Sequence, residues 1–329
     1  MIHQLFPKLP WRQAAAGLII LLAAVQCGPQ NGLSVAPAAG QKLKVVATTS
    51  LVADTVTQVG GEFIDMTVLL PVGSDPHSFE PTPRDLTRVA DADIIFANGV
   101  GLEAFLKNML TNAGGQADLV EISDGIELRQ MTGSEAHADE HGDEHGDEEH
   151  HEENGADPHV WTSPVNVIVW TQNIEQALSR RDPAHAAQYQ ANAQAYRATL
   201  QELDAWVKAQ VVTIPPENRE LVTDHAIFGY FADRYGFTQV GAVIPAFSAT
   251  AEPSANTLAQ LTDAIKTYEV KAIFVGNTVS ATLSKQMAAD TGVTLAQLYT
   301  DSLGPAGSGV ETYVDYIRAN TTTIVEALR

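Results

Sequence analysis

The chain reads as an α/β protein of two lobes, each a parallel sheet flanked by helices, joined by one long rigid helix. Three observations predict this. Short apolar runs of strand length alternate with helical stretches, this series occurs twice, and an uninterrupted helical pattern separates the two occurrences. The 329 residues are enough for two domains of about 100 to 150 residues each.

The first series begins after Lys42. Lys44 to Thr49 (KVVATT), Ile64 to Leu70 (IDMTVLL), Asp93 to Asn98 (DIIFAN) and Asp118 to Ile122 (DLVEI) are apolar runs suited to buried parallel strands. Helical stretches lie between them at 51–60, 83–91 and 102–113. This βαβ order implies a parallel sheet with helices on its faces, and it sets a first lobe at 42–182.

The connecting helix is predicted over 183–211. Asp182 is the candidate N-cap, Pro183 suits a first helical turn, and Ala186, Tyr189, Ala193, Tyr196, Leu200, Leu203 and Val207 repeat at spacings of three and four. At 1.5 Å per residue it would extend about 43 Å, the length of a domain, and a helical connector hinges less than a flexible linker. Pro215-Pro216 ends the pattern.

The second series, in a lobe at 212–329, has candidate strands at Glu220 to Thr223, Thr238 to Ile244, Ala272 to Val275 and Thr294 to Leu298. Helices are expected at 226–235, 254–268, 279–291 and 309–328.

The N-terminus has the pattern of an export signal over 1–26. Lys8 and Arg12 precede the apolar run Ala14 to Val25, which is shorter than the roughly 20 residues a membrane-spanning helix needs. The single cysteine, Cys27, follows directly and begins a small and polar linker at 27–41. A lone Cys forms no intrachain disulfide, whereas a lipid anchor belongs at such a place. Ala24-Val25-Gln26-Cys27 has the form of a lipobox, with Gln26 where a small residue is usual. The expected location is extracytoplasmic, either anchored to the outer face of the cytoplasmic membrane or in the periplasm.

Within the first lobe, Gly133 to Asp157 holds five of the ten histidines, His137, His141, His145, His150 and His151, among eleven carboxylates and without Lys or Arg. Imidazole nitrogen and carboxylate oxygen at this density suit borderline divalent ions, zinc foremost. A flexible acidic segment with irregular His spacing does not preorganise one tetrahedron, so its role is that of a low-affinity collector. The formal net charge of −21 argues against nucleic acid, because phosphate needs a basic face. Removing this segment leaves the body only moderately acidic.

Three other histidines have contexts suited to binding. His77 and His159 each follow an Asp-Pro pair, in Pro71 to Pro83 and in Asp157 to Pro164, and proline stiffens the backbone that carries each ring. His225 ends a predicted strand, at the carboxyl edge where open α/β sheets bind ligands. Asp301 follows the last predicted strand at the same kind of edge. His185 has a structural or solvent-facing role beside Ala184 and Ala186.

DPHSFEPTP, DPHVWTSP, TDHAIFGYFADRYGF and the downstream YTDSLG resemble the zinc- and manganese-binding solute-binding proteins of bacterial ABC importers, in matching order over residues 42–329. The resemblance implies two lobes joined by one long helix, with the metal in the interlobe cleft. It also implies His77 and His159 as ligands from the first lobe, and His225 and Asp301 from the second. The partners it implies are an ABC permease and, through Cys27, the membrane, with the protein a monomer. One departure is Asn277, where the family often has an acidic residue after a strand.

Three imidazoles and one carboxylate make an N3O set that suits Zn²⁺ as the transported ligand, whereas manganese binders of the family more often offer two His and two carboxylates. Manganese or iron is the alternative within the same family. A zinc hydrolase would keep an open coordination position and a general base, but Asp301 fills the fourth position and the sequence has neither HExxH nor a nucleophile signature. An adhesin is the remaining class. The reading is therefore of a binding protein and not an enzyme, with capture weakening as protons compete for imidazole near pH 6.5.

Overall fold

A computed structural model of the protein describes residues 41–130, 155–244, 246 and 252–329. Cys27 and the signal, and His137, His141, His145, His150 and His151, lie outside them. Among the described residues there are two four-stranded parallel sheets. The first is built from β1 (Leu43–Ala47), α1 (Ser50–Gly60), β2 (Ile64–Val68), α2 (Pro83–Ala90), β3 (Ile94–Ala97), α3 (Ala104–Ala113) and β4 (Asp118–Glu121), in strand order β2-β1-β3-β4.

Two helices follow, α4 (Pro164–Arg181) and α5 (Ala186–Val211). The second sheet uses β5 (Glu220–His225), α6 (Gly229–Tyr235), β6 (Thr238–Ile244), α7 (Ala255–Thr267), β7 (Ala272–Val275), α8 (Thr282–Thr291) and β8 (Thr294–Gln297), in strand order β6-β5-β7-β8, and α9 (Tyr313–Leu328) closes the chain. The predicted α/β class and doubled parallel sheet are thus the observed ones. Chain direction across each sheet reverses beside the first strand, between β1 and β3 and between β5 and β7. Crevices at such switch points are where open α/β sheets take ligands.

The central strands β3 and β7 are buried throughout, as expected for strands covered on both faces. Three apolar clusters divide the packing. Val46, Leu70, Val89, Ile95 and Leu106 fill the space between the first sheet and α2 and α3, and Val222, Val243, Leu261, Ile273 and Met287 do the same beneath α7 and α8. The third and largest runs continuously from Leu43 and Phe96 through Trp170, Leu200 and Phe231 to Phe274 and Leu328. Full burial of a side chain such as Leu200 or Phe274 contributes about 1.5–3 kcal/mol each. The inner faces of both sheets therefore share one core, built on α1, α4, α5 and α9.

Two features depart from the sequence expectation. Helix α4 was not predicted, because Val165, Val167, Ile168 and Val169 crowd its first half with β-branched side chains that favour strands. Its signals were nevertheless present: Pro164 stands at the first position, and Val167, Trp170, Thr171, Ile174, Ala177 and Leu178 form a buried stripe at helical spacing. Helix α4 packs along the connecting helix α5. The second departure is at the start of α5, where Pro183–His185 form a 3₁₀ turn. Asp182 holds that turn by accepting from His185 Nδ1 at 2.6 Å and from Tyr189 Oη at 2.8 Å, and the His185 ring stacks on Phe63, a structural role. The predicted stripe from Tyr189 to Val207 is buried. No helix among the described residues is long and apolar enough to cross a membrane.

Candidate metal centre

His77, His159, His225 and Asp301 come from four separate segments, and one potential ligand atom of each lies within 4.8 Å of all the others. His77 is carried by the loop after β2. His159 opens a short 3₁₀ turn (Val160–Thr162) before α4, His225 ends β5, and Asp301 lies in the loop after β8. His159 and His225 are fully buried, Asp301 is nearly so, and His77 is partly exposed.

The separations suit a small cation. His77 Nε2 and His159 Nε2 are 3.2 Å apart, and Asp301 Oδ1 lies 3.9 Å from His159 Nε2 and 3.7 Å from His225 Nε2. A tetrahedron with the usual zinc bond lengths has edges of about 3.3 Å, so contraction by about half an ångström on the carboxylate side would close it. His225 Nε2 and Asp301 Oδ1 are buried without a hydrogen-bond partner. Two orphaned polar atoms within one cluster of potential ligand atoms fit a bound ion.

Three of the four candidate ligands, His159, His225 and Asp301, are aimed by a neighbour. His159 donates from Nδ1 to Asp157 Oδ1 at 2.8 Å, and its backbone N–H donates to the same oxygen at 3.0 Å. His225 repeats the device with the adjacent Asp224, at 2.9 Å from Nδ1 and 2.8 Å from the backbone. Each carboxylate thereby fixes the tautomer that leaves Nε2 to face the centre. The other oxygen of Asp224 accepts from Gly276 N–H at 2.7 Å, and a Cβ at Gly276 would collide with the Thr300 side chain and crowd the Asp224 carboxylate. Thr278 Oγ1 donates to Asp301 Oδ2 at 2.7 Å, leaving Oδ1 for the centre.

The surrounding frame holds these segments across both sheets. Tyr230 Oη accepts from Arg129 N–H and donates to the Asp157 carbonyl, both at 2.9 Å. Trp161 Nε1 and Tyr316 Oη both donate to the Thr300 carbonyl, beside Asp301, at 3.2 and 2.8 Å. Asn98 donates to the Pro158 carbonyl at 3.1 Å, and its own backbone is held by buried Glu103. Burial outweighs the hydrogen bonds that Glu103 receives and pushes its carboxyl up to about 7.

The electrostatics separate the ligands. Burial, and then the neighbouring imidazole of His159, lower His77 to about 3 despite the pull of Asp301, so it is a neutral donor. Burial also disfavours a charge on His225, but Asp224 and Asp301 together overcome it and hold its proton well above the usual imidazole range. Asp301 is buried too, and yet the three imidazoles, His225 foremost, keep it far below the usual carboxylate range. Without a cation, the two shifts run in the directions that favour a protonated His225 beside an ionised Asp301.

The sequence profile of the zinc-uptake complex component A, periplasmic, family matches residues 45–327. The chain belongs to this family. It is 34% identical over 313 residues to the manganese-binding lipoprotein MntA of Halalkalibacterium halodurans, covering 94% of this chain and 96% of that one. It is 31% identical over 322 residues to the iron ABC transporter substrate-binding lipoprotein MtsA of Streptococcus pyogenes serotype M1, covering 96% of each. Among solved structures, the periplasmic zinc-binding protein TroA of Treponema pallidum superposes with a TM-score of 0.75 at 27% identity, over 87% of this chain and 99% of that one. The Mn-bound periplasmic metal-binding protein of Candidatus Liberibacter asiaticus gives 0.74 at 25% identity, over 88% of this chain and all of that one. The chain is accordingly an extracytoplasmic metal-binding component of an ABC importer and not an enzyme.

Several positioning residues were not singled out in the sequence. Asp157 was counted with the acidic segment, yet it is fully buried, its N–H donates to the Arg129 carbonyl, and the adjacent Ala156 bridges to Gln130. Asp-Pro-His was read for its proline, whereas the Asp makes the contact: Asp75 accepts from His77 N–H at 2.9 Å as Asp157 does from His159. Asp224 and Thr278 carried no spacing signal. Asn277 Oδ1 accepts from Thr300 N–H at 3.0 Å, so it shapes the loop leading to Asp301.

Proposed function

We propose that this chain captures Zn²⁺ with His77, His159, His225 and Asp301 and delivers it to the permease of the importer. The observation that carries the reading is the donor set, three imidazole nitrogens and a single carboxylate oxygen, three of the four with orienting partners in place, which suits a four-coordinate borderline ion. Manganese is the competing cargo, and it has its own support in the names of the MntA and PsaA relatives. A hard ion of that kind prefers more oxygen than this set offers, so zinc is the better fit.

The remaining expectations extend the same reading. Relatives named as lipoproteins support a lipid anchor at Cys27. His137, His141, His145, His150 and His151 act as a weak collector that raises the zinc concentration near the cleft. The lobes at 42–182 and 212–329 present the loaded site to the permease, and the protein acts as a monomer.

The test is the metal content of the purified mature protein, followed by paired zinc and manganese competition titrations. These should be run on the intact chain and on one lacking residues 133–154, a deletion that spares Asp157. One tight zinc per chain that survives the deletion is expected. Tighter manganese binding would overturn the choice of cargo, and loss of all tight binding would move the primary site into the deleted segment.

A further inference from the structure

Ser302, next to Asp301, joins the two sides of the cleft. Its Oγ accepts from Gly73 N–H at 2.8 Å and donates to the Leu303 carbonyl at 3.0 Å. Ser50 Oγ lies 3.2 Å from Ser302 Oγ and accepts from Leu303 N–H at 3.0 Å. With the Ser50 hydroxyl donating to Ser302, the two side chains form a closed polar clasp. Ser302 is 2% exposed and Ser50 9%, so water does not readily replace the bonds between these two serines and Leu303, while Gly73, an exposed residue, brings its N–H to the buried Ser302 hydroxyl from the surface.

Gly73 belongs to the loop that carries His77. The loop is fastened at its start by Leu69 and Leu70 N–H, which donate to the Ala47 and Thr48 carbonyls, and at its end by the capping box of Thr82 and Asp85. Between these ends the bonds of Ser74, His77 and Ser78 go to Pro71 and Asp75, within the loop itself. Among the described residues, the bond from Gly73 to Ser302 ties the middle of the loop to the opposite lobe. Gly73 reaches it with φ of 85°, a conformation that glycine adopts without strain.

We propose that Ser302 is a positioning residue for His77. It holds the loop against the segment that carries Asp301, so that His77 and Asp301 face the same point only while the lobes touch here. When the contact opens, His77, the one partly exposed ligand, withdraws first and begins release of the ion. The inference rests on the ligand set proposed above.

A double-mutant cycle on the full chain tests it, with zinc as the titrant. Ser302→Ala should weaken zinc binding about tenfold, the scale of one buried hydrogen bond. In a His77→Ala background the same substitution should cost less than about twofold, because the ligand it positions is already gone. In an Asp301→Ala background the tenfold loss should persist. An equal loss with and without His77 would overturn the proposal, as would a Ser302→Ala protein with wild-type affinity. A loss that vanishes with Asp301 would also overturn it, assigning Ser302 to Asp301 instead. Should Ser302→Ala fold poorly, Gly73→Ala perturbs the same bond from the donor side and must show the same dependence on His77. If His77→Ala alone leaves zinc affinity unchanged, the ligand assignment fails, independently of the cycle.

Discussion

Asp157 and His159 form a two-point contact, in which one carboxylate oxygen accepts both the ring Nδ1–H at 2.8 Å and the backbone N–H at 3.0 Å of the same histidine. The other oxygen faces the Arg129 guanidinium at 3.7 Å. The ring can neither rotate nor exchange tautomers without breaking a buried charge-assisted bond. Asp157→Ala should therefore weaken zinc binding by about 10- to 100-fold while the fold persists. Competition titration measures this, and unchanged affinity would show that the ring is held by packing alone.

Zinc capture should release about one proton per ion at pH 7. Asp224 and Asp301 raise His225 above its ordinary range in the metal-free site despite its burial, so an incoming cation must displace a proton there. Affinity should fall as pH falls, and the dependence should extend above pH 6.5 rather than flatten there, while His77, lowered to about 3, contributes nothing at neutral pH. Titration calorimetry in buffers of different ionisation enthalpy counts the protons; a count of zero at pH 7 would contradict a protonated His225 in the metal-free site.

Thr278 ties one oxygen of Asp301 at 2.7 Å, so the carboxylate offers the other to the centre. Thr278→Val keeps the shape and removes the tie, freeing both oxygens for a harder ion. The ratio of zinc to manganese affinity should then drop by about tenfold. Paired titrations check it, with Thr278→Ser expected to restore the wild-type ratio.

Asp204, on α5, accepts two bonds from Arg234 at 2.9 and 2.8 Å and one from Tyr235 at 3.0 Å, fastening α5 to α6. Burial opposes its charge, but these donors and Lys208 hold its carboxyl at about 2. A lowered carboxyl adds stability above its unfolded value near 4, and that stability is lost as pH falls toward 2. Asp204→Asn should thus cost about 2 kcal/mol at pH 7 and distinctly less near pH 2.5. Denaturant unfolding at the two pH values measures the difference, and an equal cost at both would remove the charge from the explanation.

Much of the fold was legible because it depends on local pattern. Thr238 to Ile244 and Ala272 to Val275 were bounded correctly, the second because a central strand covered on both faces leaves an uninterrupted apolar run between helical stretches. Helix α4 was not, because its β-branched start favours strands and masks the helical spacing of the stripe that it buries, in part against α5 and α1. The same distinction governs the centre. The repeated Asp-Pro-His and the histidine at a strand end marked the ring donors in the sequence, as residue type and position along the chain suffice for that.

The sequence by itself determined the α/β class, the doubled series of strands, the donor types and the family resemblance, all of which reside in composition, periodicity and short-range spacing. Tertiary structure supplies what aims the donors that the resemblance names and how closely they approach. Asp301 Oδ1 is separated from His159 Nε2 by 3.9 Å but by more than a hundred residues of chain, and Ser302 meets Gly73 across an even longer span. No pattern in the chain specifies such pairs. They follow from burial of one shared core between the two sheets, which brings the carboxyl edges together.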